Sequence, residues 1–144
     1  MAIPTLFEVC TPRDDVLQGH MAESDFAADL AQVLKGQAPP AYQDAALFFA
    51  NTHPTRGLQN LLKNVCLRLS GRNEQVASIF RLDTNYGGGK THSLIALAHA
   101  ARGMRGVANK AEFMAPELIP AGTVRVAAFD GENADPINGH TLGD

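Results

Sequence analysis

Three successive glycines, Gly87-Gly88-Gly89, run straight into Lys90-Thr91 and then into an apolar helical pattern, and this junction constrains the chain more than any other stretch. Upstream, Val76 to Leu82 is short, apolar and partly β-branched, with polar residues before it and the glycines after it, which predicts a buried strand. Downstream, Thr91 to Arg102 puts Leu94, Ile95, Leu97, Ala98 and Ala101 on a broad apolar face and meets Gly103, which predicts a helix with a stop. Strand, glycine turn and helix in that order suit a phosphate cradle. Glycines turn several N–H groups inward without a Cβ clash, and the head of a helix adds the positive end of its dipole. Lys90 would then reach the β and γ phosphates as the catalytic charge, and the Thr91 hydroxyl would be a ligand for Mg²⁺. Tyr86, Gly87, Gly88, Gly89, Lys90, Thr91 and His92 form the expected cofactor-binding stretch. It departs from the pattern GxxxxGK[ST] at one position, since Thr84 stands where the first glycine belongs. The plainer reading is a glycine turn capping a helix that starts on lysine; a cation is unfavourable at that end of a helix, which weighs against it. Tyr86 either packs on the turn or faces a partner.

Ahead of the turn the periodicity is helical. Thr11-Pro12-Arg13-Asp14 reads as a helix start running through Gln18 to a stop near Gly19. Phe26, Ala27, Leu30, Val33 and Leu34 make one stripe of a helix over 24–35 that stops at Gly36. Residues 37–42, with Pro39-Pro40, read as an extended connector, and residues 44–51 as a short helix. Leu58, Leu61, Leu62, Val65, Cys66 and Leu69 keep the helical spacing for three turns. Phe48-Phe49 and Leu47 read as core or interface area. After the P-loop helix, a second strand is expected over 123–129, ending at Asp130-Gly131, and residues 133–144 show turn residues without a period. No helix pattern follows that strand, so the chain is expected to stop within a longer one. The fold class expected is α/β: a P-loop NTPase with a parallel sheet, truncated, over 73–144, behind an α-helical N-terminal extension over 1–72.

Charge and composition narrow the remaining options. Twelve Lys and Arg against fifteen Asp and Glu give a formal charge of −3, so no general basic field exists to hold nucleic acid or an anionic membrane. Apolar residues at 45% and charged ones at 19% exclude the composition of a disordered chain. No apolar run approaches the roughly 20 residues that cross a bilayer, which predicts a cytoplasmic protein without a membrane partner. Cys10 and Cys66 stand far apart and outside any CxxC pattern, so both are expected as reduced thiols. His92 and His99, seven apart, face alike on the P-loop helix but lack the further ligands of a metal site. Arg56, Lys63, Arg68 and Arg72 read as a solvated face rather than a DNA contact. Asp83 is expected to bond N–H groups of the turn. Asp130, with Glu132 beyond it, is expected as a strand-end residue rather than a catalytic one. No GxSxG elbow supports a serine nucleophile at Ser93.

Several runs carry a resemblance that covers nearly the whole chain. They are 10–19, 26–30, Phe48-Phe49 with Thr52-His53-Pro54-Thr55 and Gly57-Leu58, and above all 82–97, whose Gly87-Gly88-Gly89-Lys90-Thr91-His92-Ser93-Leu94 is the specific part. They resemble the N-terminal region of a prokaryotic domain-of-unknown-function family of large predicted P-loop ATPases of the AAA+ type, and that family shares the departure at Thr84. The resemblance implies ATP and Mg²⁺ as cofactors, with the nucleotide loop at Gly87, Gly88, Gly89, Lys90 and Thr91. It also implies a longer chain, encoded near DNA-modification and phage-defence genes, whose partners would be nucleotide, DNA or defence proteins, and copies of itself. Two functions are therefore expected: the nucleotide-binding part of an ATPase, or a non-hydrolysing module that presents its helices to a partner when nucleotide is bound. The segment by itself is not expected to hydrolyse ATP.

Overall fold

A computed structural model describes residues 3–12, 14–19, 28–72, 75–83, 85 and 87–128. Eight α-helices follow one another among these residues: α1 (Leu6–Val9), α2 (Asp14–Leu17), α3 (Leu30–Lys35), α4 (Pro40–Gln43), α5 (Ala45–Ala50), α6 (Arg56–Leu69), α7 (Lys90–Ala101) and α8 (Lys110–Phe113), with a 3₁₀ helix at Pro116–Leu118. The expected α/β fold with a parallel sheet is overturned, because no strand occurs among the described residues. Residues 76–82 run as bends and irregular backbone, with Ile79 85% exposed, and residues 123–128 are irregular and largely exposed. An apolar, β-branched run becomes a strand only when another strand pairs with its backbone and a packed face covers its side chains. Neither condition is met at these two segments. Phe129, Asp130, Gly131, Glu132 and residues 133–144 lie outside the described residues.

Local chemistry explains most helix boundaries. Asp29, Asp44 and Thr55 cap α3, α5 and α6, their side-chain oxygens accepting the N–H of Gln32 at 3.1 Å, Leu47 at 3.0 Å and Leu58 at 3.3 Å. The helix expected over 24–35 therefore starts at Leu30 in the described part, since Asp29 takes the cap position; Ser24, Phe26 and Ala27 lie outside it. Pro39-Pro40 does not make a plain connector. Pro40 occupies the first helical position of α4, where its missing N–H costs nothing. The N-terminal helix expected from Thr11 to Gln18 is confined to α2, with Arg13 outside the described residues, and α1 precedes it, where the Glu8 carboxylate accepts from the Thr5 N–H at 2.6 Å and hydroxyl at 3.0 Å. Those two bonds hold the Glu8 carboxyl below its ordinary range.

The core gathers around α7, which packs against α3, α5 and α6. Helix α7 is apolar nearly all round, burying Ile95, Ala96, Ala98, His99, Ala100 and Ala101, as befits a central helix rather than a surface one. Helix α6 is amphipathic and buries Leu58, Leu61, Leu62 and Cys66, of which Leu58, Leu62 and Cys66 join that core. Val33, Phe48, Phe49, Met104, Val107, Phe113 and Met114 complete one buried cluster, so residues on both sides of position 72 share a core. Phe49 meets Phe48 edge-on at 5.3 Å and Phe113 at 4.7 Å, the offset geometry that aromatic quadrupoles favour. No helix among the described residues is long and apolar enough to cross a membrane.

Candidate functional site

The glycine turn stands directly before α7. Gly87 (φ +79°) and Gly89 (φ +72°) both occupy the left-handed region, which an L side chain enters only at about 1–2 kcal/mol. A Cβ built on either glycine meets nothing within 4 Å, so glycine is required there by backbone conformation, and the space above the turn is open. The Gly88 N–H donates to the Asn85 carbonyl at 3.0 Å, and the Lys90 ammonium donates to the same oxygen at 3.1 Å. Lysine thus folds back onto the same carbonyl that holds the Gly88 N–H. That contact gives the cation a dipole to meet at a helix end that otherwise repels it.

Helix α7 starts on Gly89 without a side-chain cap, unlike α3, α5 and α6. Its first intrahelical bond runs from the Ser93 N–H to the Gly89 carbonyl at 2.9 Å, so the Thr91 and His92 N–H groups at the helix head have no acceptor within the helix, whereas the Gly88 N–H of the turn is taken by the Asn85 carbonyl. Gly87, Gly88, Gly89, Lys90 and Thr91 are all exposed and lie together on this head. Tyr86 and Thr84 lie outside the described residues. Asp83 bonds no N–H of the turn among the described residues; its carboxylate pairs with Arg81 at 2.9 Å on the surface, where such a pair contributes little.

His92 has its backbone in the first turn of α7, but its side chain faces inward. The ring lies over Phe48 with centroids 4.5 Å apart and planes at 29°, and Nε2 is 2.9 Å from the Thr52 hydroxyl. That hydroxyl donates its hydrogen to the Phe48 carbonyl at 2.6 Å, so it accepts from His92, which fixes the proton of the neutral ring on Nε2. Two turns further along, the Nε2–H of His99 donates to the Tyr42 carbonyl at 2.8 Å, and its ring lies 5.3 Å from Phe48. Burial pushes both imidazoles below their ordinary value. At His99 the Tyr42 bond and Asp44 oppose that effect, while Arg102 adds to it. Both histidines are thus packed and hydrogen-bonded on one helix face, and no group of three potential metal ligands occurs among the described residues.

Other singled-out residues fall elsewhere. Arg56, Lys63, Arg68 and Arg72 are exposed, Leu47 is 48% exposed, and Cys10 and Cys66 are free thiols. Burial pushes the Cys66 thiol up to about 11, which leaves it inert as a nucleophile. A separate cavity of about 600 Å³ lies at the far end of α7, lined in part by Gln43, Asp44, His99, Arg102, Arg105 and Thr123. Sequence reasoning missed Thr52 and Asn85. A threonine and a carbonyl far from, or merely near, a motif give no spacing signal of their own.

Residues 6–118 match the family model of the DUF499 N-terminal domain. The chain belongs to the DUF499 family. Searches among curated proteins and among solved structures give no match. The DUF499 match spans every described helix from α1 to α8, including the glycine turn, Thr52 and both packed histidines.

Proposed function

We propose that this DUF499 chain binds the triphosphate of ATP, with Mg²⁺, on the turn from Gly87 to Thr91. The observation that carries the reading is the conjunction at the head of α7: two left-handed glycines, no side-chain cap, and a lysine folded over the turn. A triphosphate would accept from the Thr91 and His92 N–H groups at the helix head and draw the Lys90 ammonium away from the Asn85 carbonyl to its β and γ oxygens. The exposed Thr91 hydroxyl is the group available to the cation. Adenine itself has no assigned pocket in this reading; ATP is proposed from the resemblance of residues 82–97. This reading needs no parallel sheet, only the turn and the helix that follows it. In a longer chain the proposed activity is ATP hydrolysis coupled to DNA-linked or phage-defence work, the setting that the resemblance implies.

Titration with a fluorescent ATP analogue, with and without Mg²⁺, tests the proposal. Lys90→Ala is expected to weaken binding at least about tenfold, the worth of a charge-assisted hydrogen bond. Thr91→Ala is expected to abolish most of the gain from Mg²⁺. Equal affinities in wild type and both variants would overturn the reading. Tight binding without phosphate release in a longer chain would favour the non-hydrolysing interaction module.

A further inference from the structure

We infer that His92 and Thr52 are positioning residues for the phosphate turn: their hydrogen bond, stacked on Phe48, fixes the rotation of α7 about its axis and so the direction in which Lys90 and Thr91 point. The inference rests on the reading of the turn as a triphosphate site. It concerns side chains that make no phosphate contact themselves.

The geometry begins with the helix. Successive residues are about 100° apart around the axis, so a fixed His92 leaves Thr91 one defined direction, about 100° away. At the Cα radius of about 2.3 Å, a rotation of 30° would move every Cα of the turn by about 1.2 Å. Misplacement of about 1 Å is enough to spoil the alignment of groups around a reacting or binding centre. A single contact would still let the helix pivot. The second contact, His99 on the Tyr42 carbonyl, lies seven residues on, two turns less about 20°, on the same face. Phe48 lies between the two rings, at 4.5 Å from His92 and 5.3 Å from His99. Helix α7 is thus pinned at its head and two turns along against α4, α5 and the segment after α5.

Thr52 ties this device to the rest of the fold. It is buried at 8% exposure and gives its hydrogen to the Phe48 carbonyl in the last turn of α5. Three residues later Thr55 caps α6. The short connection from α5 to α6 therefore holds the head of α7 with one threonine and starts α6 with another.

The test compares Thr52→Val, Thr52→Ser and His92→Phe in the full chain. Affinity for the fluorescent ATP analogue is measured with and without Mg²⁺, and melting temperature without nucleotide. Valine removes the hydroxyl, serine keeps it, and phenylalanine keeps a ring on Phe48 without the donor. Thr52→Val and His92→Phe are each expected to weaken Mg²⁺-dependent binding about three- to tenfold, with a smaller loss when Mg²⁺ is absent. The double variant is expected to lose no more than either single one, and serine is expected to keep wild-type affinity. Should His92→Phe fail to fold, the contrast between valine and serine at position 52 gives the same answer. Wild-type affinity in the folded variants, alongside a loss in Lys90→Ala, would overturn the positioning role and leave the triphosphate site standing. An equal loss with and without Mg²⁺, tracking a lowered melting temperature, would reduce the pair to a structural contact. No binding by the wild type, and no effect of Lys90→Ala, would overturn both.

Discussion

Gly87 and Gly89 sit at φ +79° and +72° with open space where a Cβ would go, so alanine at either position meets backbone strain and no clash. Gly87→Ala is expected to cost about 1–2 kcal/mol in the geometry of the turn. The expected readout is a weaker affinity for the ATP analogue, with a melting temperature lower by a few degrees. Unchanged affinity would mean that the left-handed turn is not part of the binding surface. At this scale the sequence was legible where a residue type has one dominant use: glycine at a left-handed turn, Phe48 and Phe49 in the core. It was illegible where the partner lies far along the chain. His92 was read as part of the nucleotide stretch because it follows Lys90-Thr91. Only folding brings its ring to Thr52, forty residues earlier.

Helix α7 carries two buried histidines among alanines, and their titration belongs to the helix as a packed unit. Both are held below the ordinary value of 6.5, chiefly by burial. Below that value the unfolded chain takes up protons that the folded chain refuses, so their contribution to stability is complete above about pH 6.5 and is lost as pH falls through the lowered values. The melting temperature is expected to drop between about pH 7.5 and about pH 5.5, and His99→Gln, whose amide can still donate to the Tyr42 carbonyl, is expected to shrink that drop. A flat profile in the wild type would contradict the burial of these rings. The long helices were the most legible elements, since α6 and α7 each keep a sustained apolar pattern and start within a few residues of where that pattern places them. Residues 76–82 and 123–128 depart from the expected strands for a reason that applies to any short apolar run. A helix satisfies its own backbone, whereas a strand depends on a neighbour that its own sequence does not name.

Across the whole molecule, one core joins α3, α5, α6, α7 and α8, and the glycine turn projects from the head of its central helix. This differs from a cradle held at the edge of a parallel sheet. Here the turn is held by the helix behind it, pinned by His92 and His99, and by the Lys90 contact across it. The turn and its helix could be recognised from residues 83–102 alone, but the scaffold around them could not. The scaffold depends on pairings such as His99 with Tyr42 and Gln59 with the Glu112 carbonyl at 2.7 Å, which no local pattern encodes. The amides at the head of α7 are the groups proposed to receive a triphosphate. The most direct measurement is a map of backbone amide shifts in the labelled protein as MgATP is added. Saturable shifts are expected at Gly87, Gly88, Gly89, Thr91 and His92; shifts centred instead on Arg102 and Arg105 at the far end of α7, or none at all, would rule out a triphosphate at the turn.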